Sequence, residues 1–194
     1  MKDEATIDVD VQLWDEFRSG NKESFEKLIR LHYRSLHAYA TKFRRDHEFA
    51  KDCLQELFFE LWKNRLSLGS TRYVKSYLFK SVRNKVFREL QRNRWHFQHA
   101  QVDDEYCFDV EFSIEHYLIR EQTLRETANT LSKVLNELPK RQKEIIYLRY
   151  YQDLEIEEIV EIMEINPQSV YNLIHRALEN LRQPLASEGI ARLK

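Results

Sequence analysis

Apolar residues recur at intervals of three and four along most of the chain, which is the spacing of a single buried face on an α-helix. In the N-terminal half this pattern predicts four helices: a short one over 11–18, a long one ending near Arg45, one over about 49–64 and one over about 72–94. Gly20 follows the first helix and can supply its left-handed stop. Alternation of apolar and polar residues, which is typical of strands, is hard to find. The sequence therefore predicts an all-α fold.

Residues 138–184 predict two short amphipathic helices that meet at a turn. The first helix carries one apolar stripe, formed by Ile156, Ile159, Val160 and Met163. Asn166 can cap a second helix whose first position is Pro167. Val170, Leu173, Ile174, Ala177 and Leu181 line one side of this second helix, and its polar face holds Gln168, Tyr171, Asn172, His175, Arg176 and Glu179.

This pair of helices has the form of a helix-turn-helix, in which the second helix enters the DNA major groove. Gln, Asn and Arg are side chains that bond bidentately to adenine or guanine. A small helical domain with a solvated polar face shows the same pattern, so two interpretations stay open for this stretch alone.

The net charge of −1 conceals an uneven distribution. Between Lys63 and Arg94 there are ten Lys and Arg residues and a single acid, Glu89. Between Val102 and Glu115 there are six acids and no Lys or Arg. The basic segment predicts contact with phosphates, and the acidic one predicts a linker. We therefore expect two helical domains, 1–94 and 114–185, joined by an acidic linker over 95–113 and followed by a tail over 186–194.

Two polar faces in the N-terminal half are candidates for binding. The helix over 49–64 carries an outer stripe that includes Asp52, Gln55, Glu56, Phe59 and Lys63. An aromatic ring among exposed charges is a candidate anchor for a partner protein, although scattered surface apolar residues are also normal. The helix over 72–94 has an outer face formed by Lys80, Arg83, Asn84, Phe87, Arg88 and Gln91. This face combines cations with amides and an aromatic ring, a mixture that suits single-stranded nucleic acid. A solvated basic helix is the alternative interpretation.

Composition excludes several classes of protein. The chain has 194 residues, of which 42% are hydrophobic and 32% charged, with three Gly and three Pro. No apolar run reaches the ~20 residues that span a bilayer, and the acidic N-terminus does not resemble a signal peptide, so we expect a cytoplasmic protein without membrane insertion. The spacing of His96, His99 and Cys107 fits no familiar zinc pattern, so we predict neither a metal nor a cofactor. Cys53 lies on an apolar stripe, as a buried thiol does.

Several segments together resemble the extracytoplasmic-function sigma factors of the sigma-70 family. Residues 50–62, Ala-Lys-Asp-Cys-Leu-Gln-Glu-Leu-Phe-Phe-Glu-Leu-Trp, resemble the family's Asp-x-x-Gln-Glu segment, and 77–84, Tyr-Leu-Phe-Lys-Ser-Val-Arg-Asn, resemble its promoter-melting helix. In the C-terminal half the matching segments are Leu-Pro-Lys-Arg-Gln-Lys-Glu at 138–144, Glu-Glu-Ile at 157–159 and Ser-Val-Tyr-Asn-Leu-Ile-His-Arg-Ala at 169–177. Their order and spacing around the acidic linker carry the resemblance.

The resemblance implies a transcription initiation factor that binds core RNA polymerase and promoter DNA, has no catalytic site, and is held by an anti-sigma factor that is often membrane-linked. By resemblance, polymerase would contact Asp52, Gln55, Glu56 and Phe59. The downstream promoter element would be melted by Lys80, Arg83, Asn84 and Arg88. The upstream element would be bound by Gln168, Ser169, Tyr171, Asn172, His175 and Arg176.

The chain departs from the family pattern at the turn and on the second helix. Glu164 stands where the family often has Gly, and Tyr171 and Leu173 stand where Lys or Arg is common. The base preference of relatives therefore does not carry over to this chain.

Two other classes of protein compete with this interpretation. An autonomous helix-turn-helix regulator would bind its operator as a dimer and would show one self-complementary interface, whereas this sequence predicts two unlike DNA-facing surfaces. A helical enzyme would need a nucleophile with its base, a metal cluster or a phosphate-binding Gly loop, and nothing in the sequence resembles these.

Overall fold

The computed structural model describes residues 4–96, 107–110 and 122–187, and the described part of the chain contains helices and turns without a strand. In chain order the helices are α1 Glu4–Arg18, α2 Lys22–Phe43, α3 His47–Lys63, α4 Val74–His96, α5 Gln122–Asn136, α6 Lys140–Ile146, α7 Ile156–Met163 and α8 Pro167–Ser187. A short 3-10 turn, Arg65–Ser67, follows α3, and a π-helical turn, Tyr147–Tyr151, continues α6. The all-α prediction is confirmed.

The N-terminal half is a bundle in which α2, α3 and α4 pack on one another and α1 packs on α2 and α4. Aromatic rings fill the space beneath α1, where Trp14 lies edge-on to Tyr77 at 5.0 Å between ring centroids. The same indole donates a hydrogen bond from Nε1 to the carbonyl oxygen of Gly69 at 3.0 Å, and Arg18 donates from Nε to that of Leu68 at 2.7 Å. Helix α1 therefore fixes the loop that leads into α4.

Side chains cap the helices where the sequence places turn residues. The carboxamide of Asn21 accepts from the amide of Ser24 at 3.1 Å, and the carboxylate of Asp46 accepts from that of Phe49 at 3.0 Å. Gly20 has a φ of 101°, so the predicted left-handed stop after α1 is confirmed. Each cap satisfies an amide that the first turn of a helix leaves unpaired.

The C-terminal half is a second helical unit, in which α6 and α7 pack against α8. Its apolar interior includes Ile145, Leu148, Ile159, Ile162, Val170 and Ala177, each 0% exposed. Asn166 caps α8, because its Oδ1 accepts from the amide of Ser169 at 2.8 Å. The predicted helix-turn-helix is therefore present as α7, a short turn and α8.

A short segment between the halves, Cys107–Val110, packs against both and is called here the clasp. Phe108 is 0% exposed, and its ring centroid lies 5.1 Å from that of Phe43 in α2 and 5.8 Å from that of Tyr147 after α6. The amide of Cys107 donates to the carbonyl of Phe43 at 3.1 Å. The side chain of Asn136 in α5 exchanges two hydrogen bonds with the backbone of Val110, at 2.9 and 3.1 Å. The clasp thus joins both halves by apolar and polar contacts.

The structure corrects the predicted start of α1 and the predicted face of α4. Helix α1 begins at Glu4 rather than near residue 11. The prediction placed its start too late because Asp10, a polar residue, interrupts the apolar pattern, although Asp10 is buried and lies 3.1 Å from His32. Tyr73, which the spacing of apolar residues predicts on the buried face of the helix over 72–94 together with Val74, Tyr77, Leu78 and Val82, is 61% exposed. Phe79 and Val86 are instead fully buried, because α4 is covered by the other N-terminal helices and also by α7.

The linker and helix-turn-helix predictions need smaller corrections. The clasp lies inside the predicted linker. Phe108 and Val110 are nevertheless buried, although the sequence predicted an acidic linker there and not a packed segment. On α7, Ile159 and Met163 are buried as predicted, whereas Ile156 and Val160 are partly exposed. Ile162 is buried as well, because two partners, α4 and α8, cover the helix. The rest of the predicted linker at 97–106 and 111–113, and the predicted tail at 188–194, lie outside the described residues.

We expect Asn166→Ala to lower the free energy of unfolding by about 1 kcal/mol, because the amide of Ser169 loses its acceptor at the start of α8. Urea unfolding followed by circular dichroism measures this loss. Asn166→Asp is the matched control, because aspartate caps as well as asparagine. Equal stability of the two variants would show that the cap contributes nothing.

Candidate functional site

The outer face of α8 presents polar groups at the start of the helix. Gln168, Tyr171, Asn172, His175 and Arg176 are all exposed, as predicted, and Ser169 is half-buried beside the cap. The side chain of Gln168 donates from Nε2 to Oδ1 of Asn172 at 3.0 Å. Two amides held together in this way can present donors and acceptors to a base edge as one unit. His175 contacts Glu179 at 3.3 Å, one turn farther along the helix.

The turn before α8 has a backbone conformation that favours glycine. Glu164 has φ 53° and ψ 47°, the left-handed region that costs a residue with a Cβ roughly 1–2 kcal/mol. Glycine is the residue that the resemblance noted in the sequence leads us to expect at this position. Its carboxylate Oε1 lies 3.4 Å from Nζ of Lys80 in α4, so the side chain has a contact that glycine could not make.

The cationic face of α4 lies against acids of the C-terminal half. Arg83 donates from Nε to Oε1 of Glu144 at 2.8 Å, and its side chain is 12% exposed. Lys80 contacts Glu161 at 3.5 Å as well as Glu164. The sequence predicted Arg83 on an outer face, and the structure corrects this because Glu144 of α6 accepts from Arg83 and α7 packs against α4.

The remaining predicted residues of α4 are more accessible. Asn84 is half-buried and Arg88 is exposed, with Nε of Arg88 donating to the carbonyl of Asn84 at 3.3 Å. Phe87, also expected on the outer face, is half-buried, and its centroid lies 5.3 Å from that of Phe43. One face of α4 therefore divides into a covered part near Lys80 and Arg83 and an open part near Arg88.

The outer stripe of α3 is accessible over its whole length. Asp52, Gln55 and Glu56 are exposed as predicted, and Phe59 is 68% exposed. A shallow cavity of about 290 Å³ lies between this stripe and α4, lined by Phe49, Asp52, Cys53, Gln55, Glu56, Glu89 and Arg92. The stripe thus combines an acidic cavity with a projecting ring, and both suit contact with another protein.

Lys85 is a buried cation beneath this stripe that the sequence analysis missed. Its Nζ lies 2.5 Å from Glu56, 3.0 Å from Glu60 and 3.6 Å from Glu89, and its side chain is 7% exposed. Burial lowers the pKa of Lys85, but hydrogen bonds to Glu56 and Glu60 outweigh it and raise the pKa above its ordinary value. The same hydrogen bond lowers the pKa of Glu56. The helical spacing of Lys85 and Glu89 was the available signal.

Two other buried groups keep their protons at neutral pH. Burial raises the pKa of the Cys53 thiol to about 12, so the predicted buried thiol is confirmed. Burial, and then the charge of Glu144, raise the pKa of Tyr39 well above its ordinary value. Tyr39 donates from its hydroxyl to Oε1 of Glu144 at 2.7 Å. Neutral Tyr39 is therefore part of the contact between the halves.

The described part of the chain shows no group of three or more His, Cys, Asp or Glu side chains placed to hold a metal ion. His99 lies outside the described residues. Among the described helices, none combines the length and the apolar character needed to cross a membrane.

Comparison with known families assigns both halves of the chain. The family model for Sigma-70 region 2 matches residues 28–96, which include α3 and α4. The family model for Sigma-70, region 4, matches residues 128–181, which include the helix-turn-helix. The two matched regions contain the three surfaces described above.

Curated proteins of Bacillus subtilis (strain 168) resemble the chain over most of its length. The RNA polymerase sigma factor SigV is 27% identical over 160 residues, which cover 82% of this chain and 90% of SigV. The ECF RNA polymerase sigma factor SigW is 22% identical over 175 residues, which cover 87% of this chain and 92% of SigW.

Solved structures share the fold. CnrH, solved in complex with the cytosolic domain of CnrY, aligns with a TM-score of 0.61 at 19% identity and covers 93% of this chain and 99% of its own. The sigma factor RpoE from Bartonella quintana, solved with the anti-sigma factor NepR, aligns with a TM-score of 0.63 at 21% identity and covers 84% of this chain and 98% of its own.

We expect Lys85→Met to lower the free energy of unfolding by about 2 kcal/mol, because Glu56, Glu60 and Glu89 lose their shared cation. The loss should shrink as the pH falls through the lowered pKa of Glu56, because protonated carboxyls no longer attract Lys85. Urea unfolding at several pH values measures both effects. Arg88→Met, on the exposed side of α4, is the control, and equal losses in the two variants would contradict the assignment.

Proposed function

The chain belongs to the sigma-70 family, as an extracytoplasmic-function sigma factor that directs RNA polymerase to specific promoters, and we propose that its three surfaces divide this task. The stripe on α3 binds core polymerase, α4 opens the downstream promoter element, and α8 binds the upstream element. One observation carries the proposal: a single chain contains both a region 2 and a region 4, and each presents an exposed polar surface. In region 2 this surface is the stripe of Asp52, Gln55, Glu56 and Phe59, and in region 4 it is the outer face of α8.

The chemistry of each surface supports its assigned partner. Phe59 projects beside an acidic cavity, and an aromatic anchor rimmed by polar groups suits a protein partner. On α4, Lys80, Arg83 and Arg88 would hold phosphates while the amide of Asn84 meets an exposed base. On α8, Gln168 and Asn172 lie nearest the start of the helix, where side chains reach base edges most readily, and Arg176 lies farther along, beside phosphates.

The family consists of initiation factors rather than enzymes, and we propose that the chain has no catalytic site of its own. It would act in the cytoplasm together with a much larger enzyme that already binds DNA. Such a chain need not bind DNA tightly alone, which accounts for its net charge of −1. We also propose an anti-sigma partner, because RpoE was solved with one. An autonomous dimeric regulator is not favoured, because region 2 and region 4 models match the two halves of one chain.

We expect Asp52→Ala combined with Gln55→Ala to weaken binding to core RNA polymerase by about 1–3 kcal/mol, as loss of central interface residues does. Glu56 is left unchanged because it also pairs with Lys85. Titration of a labelled chain with core polymerase, checked by co-elution, measures the affinity. Glu26→Ala, an exposed acid on α2, is the control. An unchanged affinity in the double variant would remove the polymerase assignment from this stripe.

We expect Gln168→Ala and Asn172→Ala to relax base preference in the upstream element, since each removes one of two coupled amides. Arg176→Ala should weaken binding to all sequences alike and lower the salt dependence by about one ion. Holoenzyme binding to single-base variants of a selected promoter, at several salt concentrations, separates these effects. Loss of discrimination at one base in Arg176→Ala alone would reverse the orientation assigned to α8.

A further inference from the structure

Lys85 of α4 contacts an exposed acid of the outer stripe on α3 more closely than it contacts its two other partners. Its Nζ lies 2.5 Å from Oε2 of Glu56, 3.0 Å from Oε1 of Glu60 and 3.6 Å from Oε1 of Glu89. The side chain of Glu56 is 48% exposed, whereas that of Glu89 is 11% exposed. Glu89 has a closer cation in Arg92, at 2.7 Å. Arg92 thus serves the buried acid, and Lys85 serves the two acids of α3.

The contact fixes the carboxylate of Glu56 without closing it to a partner. Lys85 is buried, so its ammonium group is anchored in the protein rather than moving in solvent. It contacts Oε2, and a carboxylate offers about four acceptor positions, so another donor can still bind Glu56. The hydrogen bond from Lys85 also lowers the pKa of Glu56, which keeps the carboxylate charged at neutral pH. Glu56 is therefore a charged acceptor whose position is set before a partner arrives.

Glu56 lies where a fixed carboxylate matters for binding. It lines the cavity of about 290 Å³ together with Asp52 and Gln55, its neighbours in the stripe. Acceptors gathered in this way suit a cationic donor of a partner protein. A side chain that rotates freely loses entropy when a partner immobilises it, and a side chain that is already held loses less. Holding Glu56 from below should therefore raise the affinity of the stripe.

We propose that Lys85 is a positioning residue for polymerase binding: from α4 it holds the carboxylate of Glu56 in the orientation in which the outer stripe of α3 meets core polymerase. The inference rests on the proposed function of this stripe. Lys85 is buried and acts on polymerase through Glu56. Its contribution to affinity therefore disappears when the carboxylate of Glu56 is removed.

Lys85 also has an opposite effect on a cationic partner, and salt separates this effect from positioning. Its charge offsets that of Glu56, so removing it makes the stripe more acidic and more attractive to a cation. Attraction between exposed charges is weak and is screened beyond about 8 Å at physiological ionic strength. The orientation of a side chain is not screened. Loss of positioning should therefore be the larger effect at physiological salt and should persist when the salt concentration is raised.

The test is a double-mutant cycle on the full chain, with core RNA polymerase as the probe. Lys85→Met removes the cation and keeps most of its apolar stem, Glu56→Ala removes the carboxylate, and a third variant combines the two changes. Titration of the labelled chain measures each affinity at about 0.15 M and about 0.3 M salt. Circular dichroism at the same temperature checks that each variant is folded.

We expect Lys85→Met to weaken polymerase binding at least about threefold at both salt concentrations, because Glu56 must then be immobilised on binding. The combined variant should bind as Glu56→Ala does, to within about twofold, because nothing is left for Lys85 to position. An unchanged affinity in Lys85→Met would overturn the inference. Losses that multiply in the combined variant would overturn it as well, since they would show that Lys85 acts independently of Glu56.

Glu60→Gln is the matched control, because it removes another partner of Lys85 on α3 and leaves the stripe unchanged. It should lower the free energy of unfolding and leave polymerase affinity within about twofold of the wild type. A loss of affinity equal to that of Lys85→Met would mean that Lys85 only stabilises the packing of α3 on α4. If Lys85→Met loses helical content, Lys85→Gln replaces it in the cycle, because the amide leaves a donor for the acids.

Variants of the stripe itself separate this inference from the proposed function. If Glu56→Ala, and the combined change of Asp52 and Gln55 to Ala, weaken binding while Lys85→Met does not, positioning by Lys85 is wrong and the polymerase assignment stands. If no change in the stripe weakens binding, the polymerase assignment is wrong, and the inference about Lys85 falls with it.

Discussion

The carboxylate of Glu144 is the contact on which the relation between the two halves depends. It is the point at which a charged side chain of α6 is completely removed from water by α2 and α4, and Arg83 and Tyr39 supply the donors that make this removal tolerable. A buried carboxylate without such donors would be protonated or expelled. The orientation of region 4 on region 2 is therefore specified by hydrogen-bond geometry as much as by apolar packing.

The outer stripe of α3 stays open while part of α4 is covered by the C-terminal half. The stripe lies on an exposed face of α3, and Glu56 within it pairs with Lys85 of α4. The outer face of α8 is exposed as well, so the contact between the halves covers only the part of α4 near Lys80 and Arg83.

The sequence predicted the local features and missed the contacts between distant parts of the chain. The caps at Gly20 and Asn166 and the exposed stripe on α3 follow from residue type and helical spacing, and the structure confirms them. The burial of Arg83 and Phe108 depends on residues more than thirty positions away, and no local pattern carries that information. Asp10 misled the prediction of α1 because its burial is satisfied by His32 rather than by apolar neighbours.

Because Glu144 and Phe108 lie on the same polypeptide as the residues that they contact, the association of the two halves is intramolecular. Its effective concentration is set by the length of chain that joins the halves and not by the concentration of the protein. Dilution should therefore leave the contact between the halves unchanged, whereas the binding of any separate partner weakens as the protein is diluted.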